Sequence, residues 1–142
     1  MKKILLLLMI GLVSCKSDIE IINAVKQTII PGVSSAKEYV KYSIQFRNDS
    51  QSIKEIEKIL IVEKNTCYKV PYILLKENSP KQLSVIEDIG NYNLSVSMKE
   101  GALEVLKECD KTSNGLYIVY SENQQQKEFF IKNFKKERKT RR

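Results

Sequence analysis

This chain of 142 residues holds three cysteines, Cys15, Cys67 and Cys109, and no histidine. The missing imidazole removes the commonest general base and the commonest transition-metal ligand. A serine or cysteine nucleophile therefore has no histidine to activate it. Three thiols are too few for an all-cysteine zinc site, and neither a glycine-rich phosphate loop nor a calcium-loop spacing occurs. No metal or cofactor is expected. Glu55 with Glu57, and Glu87 with Asp88, are the pairs from which a glycan hydrolase would draw its acid and base. In a chain with 17 acidic residues, such neighbours are more simply solvated surface charge. Seven tyrosines could offer amphipathic contacts to a sugar or a protein. Most fall on apolar strand faces and are expected to pack there, whereas Tyr39 and Tyr117 are out of step with those faces and are expected to be exposed.

Cys15 has the most informative surroundings. Lys2 and Lys3 precede an uncharged apolar run, 4–13, that ends in Leu12-Val13-Ser14-Cys15. A basic start, an apolar run and a small residue before the cut make a secretory signal. The run is well short of the roughly 20 residues that span a bilayer as a helix. With cysteine at the cut, the stretch resembles the lipobox of bacterial lipoproteins. That resemblance implies removal of 1–14, diacylation of the Cys15 thiol and a lipid-anchored mature chain starting at Cys15. Lys16, where aspartate would favour inner-membrane retention, favours the outer membrane if the envelope is Gram-negative.

The formal charge is +7, and its distribution matters more than its size. Residues 132–142 contribute a net +6 and Lys2 with Lys3 another +2, leaving 15–131 near neutrality. The basicity is thus expected to be a tail, 135–142, following a body over 24–134, with 15–23 a tether. Lys135, Lys136, Arg138, Lys139, Arg141 and Arg142 are candidates for contact with anionic lipid head groups; the bland alternative is a solvated, frayed terminus. Nucleic acid is not an expected partner of an exported chain. Export also places Cys67 and Cys109 in an oxidising compartment, where they either form a disulfide or pack as two separate buried thiols.

The elements that must position these residues read as strands. Val40, Tyr42, Ile44 and Phe46 alternate with polar residues, and so do Tyr92, Leu94, Val96 and Met98. Residues 59–62 form a compact apolar run after a stretch at helical spacing, 53–60. Residues 68–75 read as one strand made irregular by Pro71, and 101–109 fit helix or strand. Residues 116–120 and 128–134 flank a polar turn as a terminal hairpin. About seven short strands with no βαβ rhythm predict an all-β, antiparallel sandwich, immunoglobulin-like in plan, with a small barrel as the alternative. Together with the lipobox, this predicts a lipid-anchored envelope protein with a non-enzymatic binding or structural accessory role towards an envelope protein or glycan. An inhibitor or immunity lipoprotein, and a small glycan hydrolase, are the other classes considered.

Overall fold

The computed structural model describes residues 18–33 and 35–141. The signal, Cys15, Lys16 and Arg142 lie outside the described residues. The chain is all-β, with no helix among the described residues. Its strands are β1 (Ile19–Ile30), β2 (Tyr39–Asn48), β3 (Lys54–Glu63), β4 (Thr66–Val70), β5 (Tyr72–Lys76), β6 (Gln82–Leu83), β7 (Val85–Ile86), β8 (Gly90–Met98), β9 (Glu104–Val105), β10 (Gly115–Glu122), β11 (Gln125–Ile131) and β12 (Lys135–Thr140).

Two sheets face each other, one in the order β12-β1-β2-β8-β5-β6 and the other β11-β10-β3-β4-β9, with β7 on β3. No pairing closes one sheet onto the other among the described residues, so the architecture is a sandwich and not a barrel. With β1, β2, β3, β4, β5, β8, β10 and β11 read as A, B, C, C′, D, E, F and G, the orders are A-B-E-D and G-F-C-C′, those of an immunoglobulin-type sandwich. The four strands beyond these eight are the two-residue ladders β6, β7 and β9, and β12.

The two cleanly alternating segments became β2 and β8, and they pair with one another in register. Their apolar residues meet on one face, with Phe46 stacked on Tyr92 at 5.6 Å between ring centroids. This face, with Ile59, Ile61, Leu116 and Ile118 from the opposite sheet, forms the core. The segment at helical spacing is extended instead, inside β3, where pairing with β10 overrides local preference. Pro71 falls between β4 and β5, which belong to opposite sheets. The expected single irregular strand is therefore two, changing sheets at the residue that cannot donate a ladder hydrogen bond.

β10, and β3 over 59–62, are buried on both faces. Their outer residues Leu60, Val62, Tyr117 and Val119 form a second cluster with Cys67, against which Leu106 and Cys109 pack from the segment 99–114. A disulfide joins Cys67 on β4 to Cys109 in that segment, with Cα atoms 6.3 Å apart, and holds the cover in place. Tyr117 is thus buried under the cover, contrary to its expected exposure, and its hydroxyl donates to the Ser113 carbonyl at 2.9 Å. Tyr39 is half-buried, with the Lys99 ammonium 4.8 Å from its ring centroid. Closing a loop across 42 residues stabilises the folded state by about 4 kcal/mol on the chain-entropy model. Replacing both cysteines by alanine is accordingly expected to lower the unfolding free energy in urea by about 2–4 kcal/mol. Free alkylation of both thiols in native exported protein would show instead that the cover stays down without the bond.

Two expected boundaries move. β1 begins at Ile19, so 19–23 belong to the sheet and not to a tether. Lys135–Thr140 is a sheet-edge strand, β12, parallel to β1 from Val25↔Lys135 to Ile30↔Thr140. A segment with no apolar residue was expected to be a solvated tail. It is ordered through backbone hydrogen bonds, which need no apolar side chain.

Candidate functional site: a lysine-lined groove

β12 brings part of the basic segment to the open edge between the sheets. Along β1 the alternation sends Ala24 and Lys26 inward, opposite Ile44 and Tyr42, and the parallel register puts Lys136 beside Lys26. Lys64 comes from the β3–β4 turn, where Lys64 and Asn65 have φ of 49° and 63°. Two such residues make the tight hairpin turn that suits strand twist. Lys132 and Asn133 come from the link that carries the chain from β11 to β12 across the edge. At the start of β10, a Cβ on Gly115 would collide with the Phe130 ring and lie 2.6 Å from the Ile131 carbonyl oxygen. Only glycine lets the two strands approach so closely at the groove's rim.

These elements enclose a groove of about 650 Å³, lined by Lys26, Lys64, Lys132 and Lys136, by Tyr42, Glu63, Asn114 and Asn133, and by the apolar Val62 and Phe134. Phe134 lies in the lining with its ring edge-on to Tyr42, centroids 5.1 Å apart. Glu63 is the one carboxylate of the lining. Its Oε1 accepts from Lys26 Nζ at 2.9 Å and from the Tyr42 hydroxyl at 2.8 Å. Burial alone would raise its pKa, but these two hydrogen bonds and the charges of Lys26 and Lys64 outweigh it and hold the carboxyl below its ordinary range. Burial first, then the bond to Glu63, pushes the Tyr42 phenol far up, so it stays a donor. Lys64, Lys132 and Lys136 form no ion pair among the described residues, which leaves the groove with a net charge of +3 and free ammonium donors.

The rest of the basic segment divides. Lys135 pairs with Glu137 at 3.7 Å and Arg138 with Glu38 at 3.5 Å. Lys139 follows the register of Ile29, on the outer face. The Arg141 backbone N–H donates to the Ile30 carbonyl at 2.9 Å. Lys135 and Lys139 thus follow the register of Val25 and Ile29, and Lys136 and Arg138 that of Lys26 and Thr28, on alternate faces of the strand. The carboxylate pairs also stay apart from the groove. Glu55 and Glu57 are exposed on β3, Glu57 accepting from Gln126 at 2.6 Å, and Glu87 and Asp88 are exposed at the other end of the sandwich, Asp88 within 3.3 Å of Lys76. Among the described residues no group of three or more acidic or cysteine side chains is placed to hold a metal ion.

That other end, where β1 begins, holds a buried polar network. Lys54, 1% exposed, reaches Glu122 at 2.9 Å, Ser52 at 3.0 Å, Asn48 at 3.3 Å and Asp18 at 3.8 Å. Glu122 also takes Lys127 at 2.7 Å and Ser52 at 2.7 Å. The network ties Asp18, just before β1, to β2, β3, β10 and β11 and leaves no charge of the Lys54–Glu122 pair unpartnered.

Fold and site together define an immunoglobulin-type β-sandwich with a cationic groove at one edge. No protein-family model matches the chain, and no curated protein or solved structure matches it.

Proposed function

We propose that this chain is a lipid-anchored protein of the bacterial cell envelope, held through Cys15, whose sandwich is a non-enzymatic binding module. The observation that carries the binding role is the groove, where Lys64, Lys132 and Lys136 face one space and form no ion pair among the described residues. Clustered like charges repel one another in the free protein and become favourable when an anion fills the space between them.

The placement of the groove supports the same reading. Lys26 lies seven residues beyond Ile19, about 23 Å along the extended strand. At the end nearest Cys15 the acids Asp18, Asp49 and Asp88 are set against Lys54, Arg47 and Lys76. The unpaired lysines of the groove thus lie at the far end of β1, towards an anionic envelope component beyond the anchoring head groups. Lys16 after the cysteine favours the outer membrane.

The native protein is expected in the membrane fraction with lipid on Cys15, and Cys15→Ala should accumulate as an uncleaved or misprocessed precursor. From detergent-solubilised envelope, the native chain should capture a partner that the triple variant Lys64→Glu/Lys132→Glu/Lys136→Glu does not. Equal capture by both would remove the groove from the binding reading, and soluble, unacylated mature protein would remove the anchor.

A further inference from the structure

We propose that the groove receives a sugar carrying two phosphoryl groups. This rests on the binding reading above and names its ligand chemistry.

The cations point to phosphate. All four are lysines, with no arginine in the lining. Lysine binds phosphate as a point charge, and a phosphoryl group accepts well from compact ammonium groups approaching from several sides. A phosphate monoester carries about −1.5 to −2 near neutral pH, so one leaves the groove's +3 unmatched and two match it. The lysines also arrive from three directions, with Lys26 and Lys136 on neighbouring strands, Lys64 on a turn and Lys132 on the link, an arrangement suited to two separated anions.

The remaining lining points to a sugar between them. Glu63 uses only Oε1, for Lys26 and Tyr42, and Oε2 has no hydrogen-bond partner among the described residues. An ionised carboxylate in the lining of a cationic groove repels phosphate oxygens but accepts well from a sugar hydroxyl. Asn114 and Asn133 add neutral donors and acceptors, and Phe134 and Val62 supply an apolar wall for the C–H face of a ring. About 650 Å³ accommodates one or two sugar units.

The test is calorimetric titration of the full-length acylated protein in neutral detergent with glucose 1,6-bisphosphate, pyrophosphate and citrate. The sugar bisphosphate should bind at least about tenfold more tightly than either of the others. The triple variant should lose that binding, while Lys139→Glu, a charge reversal on the outer face, keeps it. Circular dichroism checks that each variant is folded. Glu63→Gln should weaken the sugar bisphosphate more than pyrophosphate. Citrate binding as tightly as the sugar bisphosphate, or a folded triple variant that still binds, overturns the proposal. Mixed micelles containing a diphosphorylated diglucosamine lipid separate the sources: competition assigns a membrane glycolipid, and its absence beside tight sugar binding assigns a soluble glycan. If the triple variant loses its envelope partner but no phosphosugar binds the native chain, the binding reading stands and this proposal fails. If the native chain captures no partner and binds no phosphosugar, both fail.

Discussion

Replacing Lys54 with methionine is expected to lower the unfolding free energy by about 3–5 kcal/mol, the range for removing one partner of a buried charged pair. Methionine matches the stem in length but leaves Glu122, 6% exposed, without one of its two cations, and strips Asn48 and Ser52 of a donor. The double variant Lys54→Met/Glu122→Gln should lose less than Lys54→Met alone, because the uncompensated charge is gone. A loss under about 1 kcal/mol for Lys54→Met in urea titration would show that the pair adds nothing beyond its hydration.

The same network sets an acid limit. Hydrogen bonds from Lys127, Lys54 and Ser52 lower the Glu122 pKa to about 2. A folded-state pKa below the unfolded one means stability present above the ordinary carboxylate value, about 4.3, and lost as pH falls towards 2. The contribution at neutral pH is on the order of 3 kcal/mol. Between pH 7 and about pH 2.5 the native protein should therefore lose about 2–3 kcal/mol more than Glu122→Gln does. Parallel pH dependence in the two proteins would assign acid sensitivity to other carboxylates.

How far a residue's place was legible depended on what surrounds it. Period-two alternation identified β2 and β8 because each has one face in the core and one in water. It failed for Tyr117, since alternation says which face a side chain takes and not whether a later segment covers that face. Residues 99–114, ambiguous between helix and strand, are that cover. Glu104–Val105 is a brief strand on β4, and the remainder is held by Leu106, Cys109 and the disulfide. Lys136 stood out only as part of a basic run. Lys132 likewise stood out only within that run, and Lys26 and Lys64 carried no signal, because only the fold brings together residues so far apart in the chain.

Ending the chain at Ile131 is expected to destabilise the domain by about 3–5 kcal/mol, in two separable parts. The first is Phe134, whose half-buried ring packs edge-on against Tyr42 at the mouth of the core. Its loss uncovers Tyr42 and part of the bond to Glu63 that Tyr42 supports. The second part is β12, and here composition misleads. Lys135–Thr140 buries no side chain, so judged by its residues alone a chain ending at Phe134 should match the full protein. The register with β1 predicts otherwise: that truncation should cost about 1–2 kcal/mol, the net worth of a few backbone ladder bonds, with the Gln27–Glu137 hydrogen bond at 3.1 Å lost as well. It also bares the β1 edge, where the buried Val25 and Ile29 lie, and an unpaired edge beside apolar side chains favours self-association. Thermal denaturation of the chains ending at Ile131, Phe134 and Arg142 should give three separate midpoints in rising order. The Phe134 chain alone should regain stability when Lys135–Thr140 is supplied as a peptide. Coincident midpoints for the Phe134 and full-length chains would return the segment to solvent and leave the groove without Lys136 as a fixed wall.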